Sequence, residues 1–126
     1  MDTGKMNNYK YYDGYEGEPE IILCAKDINM EILHIWDGFW DDIFGNPPDD
    51  GRGWIGFTRD YNQCEGAFDT EGEGFVTNLY EYAKDLISYK VKEFDFKETY
   101  AVYDLLCSWF EEAIQRGCKS IAVKIN

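Results

Sequence analysis

Nucleophilic and metal chemistry in proteins draws on His, Cys, Ser and paired carboxylates, and this chain supplies them unevenly. It holds one histidine, four cysteines and 25 Asp or Glu residues. The histidine, His34, lies inside the apolar run from Met30 to Trp36. A lone histidine there is expected to be packed rather than catalytic, and any Ser-His-Asp triad would have to be built on it alone. Ser88, Ser108 and Ser120 stand in no G-x-S-x-G setting. Cys24, Cys64, Cys107 and Cys118 form no C-x-x-C pair, so buried free thiols are the default. A structural zinc held by these cysteines with His34 or carboxylates is one cofactor the residue types permit. None is expected.

The carboxylates offer more combinations. Two of them suffice for a glycosidase, and three or four for a divalent cation. Asp49-Asp50-Gly51-Arg52-Gly53 nevertheless lacks the alternating ligand spacing of a calcium loop. Glu71-Gly72-Glu73-Gly74 places negative charge where a bound phosphate would sit, so it is no anion cradle. With 25 acids in 126 residues, some cluster by chance.

The distribution of the acids is more informative than any single pair. The formal charge is -13. Residues 1–75 hold 17 acids and 5 bases, while residues 76–126 hold 8 acids and 7 bases. Nearly all the excess therefore sits in the first three-fifths of the chain. Such a surface repels nucleic acid and anionic membrane and attracts basic proteins. There is no basic patch with interleaved aromatics of the kind nucleic-acid binders carry.

The elements that must position these residues follow from periodicity. At 126 residues the chain is expected to be a single domain, 1–126, with a cytoplasmic address. No apolar run reaches the roughly 20 residues of a membrane span, and no hydrophobic signal region opens the sequence. Met6 reads as the natural start, with residues 1–5 a remnant ahead of it. Residues 1–18 form an irregular Tyr- and Gly-rich arm, or at most a short edge strand. Residues 20–25 and 30–36 read as a hairpin of strands. Residues 37–44 fit one or two helical turns, and 45–51 a Gly/Pro loop. Residues 54–58 and 64–68 read as a second hairpin, and 69–74 as an acidic loop. Asn78 with Glu81 makes a capping box for a helix, and Asp95 with Glu98 repeats it for a second, longer one. Gly117 stands at the left-handed C-cap, and residues 121–125 alternate as a closing strand. The predicted fold is α+β: a mainly antiparallel sheet of about five strands with two C-terminal helices packed on one face.

Four Trp, ten Tyr and eight Phe exceed what the core of so small a domain can hide. Tyr9, Tyr11, Tyr12 and Tyr15 lie in the polar arm, and Trp40, Phe44, Trp54 and Tyr61 flank acidic segments. Aromatics supply interface anchors, and neighbouring carboxylates steer a basic partner. The expected partner-binding residues are Asp37, Asp41, Asp42, Asp49, Asp50, Glu71 and Glu73, with Trp40 and Tyr61 as anchors. Reversing the charge of Asp41, Asp42, Asp49 and Asp50 is expected to weaken binding while leaving the fold intact.

In size, acidity and compact α+β design the chain resembles small phage-encoded anti-CRISPR proteins. It is also similar to the immunity proteins of bacterial nuclease toxins. Both resemblances rest on composition, so neither carries residue roles. The first implies a non-enzymatic inhibitor of a Cas nuclease (Cas9 type), whose nucleic-acid channel is basic. The second implies neutralisation of a nuclease toxin. In both, the partner is a basic nucleic-acid-binding protein, and the inhibitor is a monomer or homodimer. A small carboxylate- or metal-dependent hydrolase is a further reading, and a housekeeping or structural domain without a basic partner is another.

Overall fold

The computed structural model describes residues 6–45, 58, 73–76, 78–90 and 92–125. Its strands are β1 (Asn7–Tyr11), β2 (Glu20–Ala25), β3 (Ile32–Trp36), β4 (Glu73–Val76) and β5 (Ile121–Ile125). Its helices are α1 (Asp37–Phe44), α2 (Leu79–Ile87) and α3 (Thr99–Gln115). The strands form one sheet in the order β1-β3-β2-β5-β4.

The centre of the sheet is its most apolar part. In β2, Ile21, Leu23 and Ala25 are fully buried while Glu20, Ile22 and Cys24 are only half-buried. This period of two marks one face covered by helices and one more open. Leu33 and Ile35 of β3, and Ile121 and Val123 of β5, continue the covered face. Against it pack Phe39, Trp40, Ile43 and Phe44 of α1, Leu79, Tyr82 and Leu86 of α2, and Val102, Leu106, Phe110 and Ala113 of α3. Each fully buried Leu, Ile or Phe contributes about 1.5–3 kcal/mol of transfer free energy.

The α+β class and the pairing of β2 with β3 follow the sequence pattern, but the sheet is mixed. β1 pairs parallel to β3, with Asn7 opposite Ile32. β2 takes β3 on one side and β5 on the other, so the polar β1 is left the outer edge of β3, where one row of partners suffices. β4 pairs antiparallel to β5 with Glu73 opposite Lys124. Glu73 and Gly74 therefore lie in a strand, not in the expected acidic loop. Strand structure at this sequence is imposed by pairing with β5 rather than by local propensity. Among the described residues a further helix, α1, joins the two C-terminal ones. Most of the expected second hairpin lies outside the described residues, but Thr58, expected in it, has helical backbone.

The helix ends have three different solutions. Asn78 Oδ1 accepts from the Glu81 N–H at 3.2 Å, as its spacing predicts. Gly117 takes φ 78° just past α3, again as predicted. The start of α3 differs: neither Asp95 nor Glu98 caps it. Glu98 makes no side-chain cap bond; the turn ahead of the helix is held by a carboxylate of α1. Elsewhere Asp27, in the β2–β3 turn, accepts from the N–H groups of Lys119 (3.0 Å) and Ser120 (3.4 Å). Trp109 Nε1 donates to the Glu31 carbonyl at 2.9 Å. These bonds fix α3 and its exit over the hairpin.

Candidate functional site: an acidic aromatic face at the start of α1

β3 runs directly into α1, and the junction is Trp36-Asp37-Gly38. The Trp36 indole folds back over Gly38 so closely that a Cβ there would lie 2.3 Å from the ring. Its opposite face stacks on Tyr15, with centroids 4.2 Å apart and planes 6° from parallel. Phe39 meets the indole edge-on at 5.1 Å, and Phe96 lies 5.6 Å away. Three separate segments thus build one aromatic cluster: the N-terminal arm, the β3–α1 junction and the α2–α3 connection. Tyr15 and Trp36 are half-buried, and Phe96 is 43% exposed. The cluster grades from core to surface at one end of the sheet.

Carboxylates flank it. Asp37 is half-buried and Asp41, one turn on, is exposed. Burial pushes the Asp37 carboxyl above its ordinary range, and the charge of Asp41 adds to the shift. Burial and like charge here outweigh the favourable field of the helix N-terminus. A cation brought against this pair would offset the repulsion between the two charges.

Asp42 has a different role. Its Oδ1 accepts from the Asp95 N–H at 2.8 Å, and its Oδ2 from the Phe96 N–H at 2.9 Å and from Thr99 Oγ1 at 2.7 Å. It fixes the turn that leads into α3, and the Thr99 hydroxyl at the first residue of the helix, from more than fifty residues away. Lys92 returns the favour at the other end of α1. Its Nζ donates to the carbonyls of Asp42 (3.0 Å) and Ile43 (2.8 Å), placing positive charge at the negative end of the helix. Lys92 also lies 5.4 Å from the Tyr89 ring and 5.7 Å from that of Phe94. Burial pulls its pKa down, against the opposing pull of Asp42, Asp95 and Asp41.

The expected partner-binding residues therefore separate. Asp37 and Asp41 share the accessible side of α1. Asp42 is committed to α3, so a variant reversing its charge is not expected to keep the fold. Trp40 is 1% exposed and packs the core beside Phe44 at 4.8 Å; it does not offer an anchor at the surface. Glu73 stands in β4. Asp49, Asp50, Tyr61 and Glu71 lie outside the described residues. Trp36 and Phe96 were not among the expected anchors. The signal for Trp36 was a glycine two residues on, which leaves room for a ring to fold back.

The other reactive groups are engaged in structure. His34 is 7% exposed. Its Nδ1 bonds Glu20 Oε2 at 3.1 Å, its Nε2 bonds Asn7 Oδ1 at 2.8 Å, and Tyr9 stacks on the ring at 4.0 Å. Cys24 is on β2, Cys107 on α3, and Cys118 follows α3 with its Sγ 3.1 Å from Asp27 Oδ1. Cys64 lies outside the described residues. Among the described residues no three His, Cys, Asp or Glu side chains come together as a metal site. Asp85, fully buried, accepts from the Thr58 N–H (2.8 Å) and from Thr58 Oγ1 (2.7 Å), tying residue 58 to α2. No helix among the described residues is long and apolar enough to cross a membrane. Comparison of the chain with protein-family models, with curated proteins and with solved structures gives no match.

Proposed function

We propose that this protein is a non-enzymatic inhibitor that binds a basic nucleic-acid-processing enzyme through the α1 face. One observation carries the reading: Asp37 and Asp41 stand beside a half-exposed aromatic cluster of Tyr15, Trp36 and Phe96. Aromatic anchors next to carboxylates suit a surface rich in Lys and Arg. The net charge of -13 draws such a partner in and keeps nucleic acid away. Channels that grip guide RNA or DNA are basic by necessity, and carboxylates on a rigid fold compete where phosphates would lie. The preferred target is a Cas nuclease, which makes the protein an anti-CRISPR inhibitor. A nuclease toxin is the alternative partner.

Pull-down with the purified protein tests this. The panel holds guide-loaded and guide-free Cas nucleases and several nuclease toxins, each at low and moderate salt. Retention of a Cas nuclease that weakens with salt is expected, because charges more than about 8–10 Å apart are screened at 0.1–0.15 M. The variant Asp37→Lys/Asp41→Lys is expected to lose that retention. Undiminished binding by the folded variant refutes the α1 face as the contact. Retention of a toxin alone assigns the immunity role, and turnover of a hydrolase substrate overturns the inhibitor reading.

A further inference from the structure

The rings around Trp36 leave one of their number open. The indole has Gly38 against one side and Tyr15 stacked on the other, so the ring a partner can reach is Phe96, 43% exposed. Trp36 is tilted to it by 48° and Phe39 meets it at 83°, so neither stacks flat on it. Its backbone is fixed. The Phe96 N–H donates to Asp42 Oδ2 at 2.9 Å, which ties it to the helix that carries Asp37 and Asp41. The segments that bring these rings together are also strongly acidic. Residues 12–18, 36–42 and 92–98 hold nine Asp or Glu against two Lys. One of those lysines, Lys92, is turned to the carbonyls of Asp42 and Ile43.

A basic partner can present lysine or arginine, and the two are not equivalent here. Lys92 shows what suits an ammonium: two carbonyl oxygens converge on its Nζ, with the Tyr89 and Phe94 rings at 5.4 and 5.7 Å. The α1 face offers a ring and carboxylates instead. A planar guanidinium stacks on such a ring, and its fork of N–H groups matches the two oxygens of a carboxylate. Asp37 is half-buried, so a cation that reaches it gives up water. Guanidinium is the more weakly hydrated of the two cations and loses less in doing so. A second copy of the chain would bring a net charge of -13 against a surface of the same sign.

We propose that the α1 face selects arginine over lysine in its partner: a guanidinium stacks on Phe96, and Asp37 and Asp41 supply its counter-charge. This selection rests on the α1 face being the contact. The probes are two labelled, flexible peptides of about 15 residues, one a repeat of Arg-Gly-Ser and the other the same with Lys for Arg, each followed by fluorescence anisotropy at about 0.15 M salt. The wild type is expected to bind the arginine peptide about two- to fivefold more tightly, the span of one exposed contact between a cation and a ring. Phe96→Leu keeps the position apolar but removes the ring. It should abolish the preference with unchanged circular dichroism, while Phe96→Tyr should preserve it. Asp37→Asn/Asp41→Asn should weaken both peptides. Equal binding of the two peptides by the wild type, with both weakened by Asp37→Asn/Asp41→Asn, overturns the arginine selection and leaves the α1 face standing. Binding that ignores the Asp37→Asn/Asp41→Asn change, or no binding of either peptide, overturns both. An arginine preference that survives Phe96→Leu also overturns the proposal. A dimer in sedimentation equilibrium that Phe96→Leu dissociates overturns it in favour of a second copy.

Discussion

Replacing Asp42 by alanine removes one side chain from α1 and is expected to undo the start of α3. Three donors lose their acceptor: the N–H groups of Asp95 and Phe96 and the hydroxyl of Thr99. The first two stand at an exposed turn where water can replace the carboxylate. Thr99 is 0% exposed, so its hydroxyl is left without that option. Loss of the two bonds at the exposed turn costs about 1 kcal/mol, and an orphaned buried hydroxyl about 1–3 kcal/mol. The sum is about 2–4 kcal/mol. With a urea m-value of about 2 kcal/mol/M, the unfolding midpoint should fall by about 1–2 M. Asp42→Asn keeps an acceptor and should lose about half as much. Thr99→Val in the same background should recover part of the Asp42→Ala loss, because the orphaned hydroxyl goes with it. A midpoint for Asp42→Ala within 0.2 M of wild type, a shift of about 0.5 kcal/mol or less, would refute the long-range tie. So would strict additivity of the Asp42 and Thr99 substitutions.

Three further outcomes are expected. Asp37→Asn should stabilise the protein at pH 7: the folded pKa of Asp37 lies above its unfolded 3.8, so its contribution is full below 3.8 and is lost as pH rises through the folded value. Thermal melts at pH 7 and pH 3 check this, and a gain that persists at pH 3 contradicts it. Gly38→Ala must move the Trp36 ring, which a Cβ would meet at 2.3 Å; a cost of about 1–3 kcal/mol with a changed tryptophan emission spectrum is expected. An unchanged spectrum would mean the indole does not lie over Gly38. His34→Ala removes the bonds to Glu20 and Asn7 and the stack on Tyr9, so hydrogen exchange should quicken in β1 and stay slow in β2 and β5. Uniform quickening across the sheet would contradict a local role.

The parts of the fold that announce themselves in the sequence are those whose cause is local. The Asn78–Glu81 box, the stripe from Val102 to Ala113 and Gly117 at the end of α3 act within a few residues. The β2–β3 hairpin is of the same kind. The features that surprised have distant causes. The turn into α3 is held by Asp42, and no spacing rule links it to Thr99. β4 exists because β5 offers it a row of partners, and β1 sits parallel to β3 because both sides of β2 are taken. The site divided along the same line. Asp37 and Asp41 were legible as an acidic helix side. The inward turn of Asp42 and the burial of Trp40 depend on how α1 meets the α2–α3 connection. The three-part ring cluster around Trp36 was invisible because Tyr15, Trp36 and Phe96 lie far apart in the chain.

The place of β5 in the sheet bears on how fast the protein can assemble. β2 and β3 pair across a short turn, but β5 inserts between β2 and β4, with Ile125 opposite Ile21. These partners lie about a hundred residues apart, and closing so long a loop is paid in chain entropy before any strand bond is gained. Until it closes, the apolar covered side of the hairpin has no lasting neighbour and the outer edge of β2 stands unpaired. Folding should accordingly be slow for a chain of this length, on the millisecond-to-second scale of sheets built from remote segments. A population caught before insertion would be prone to pair edge to edge with its own kind.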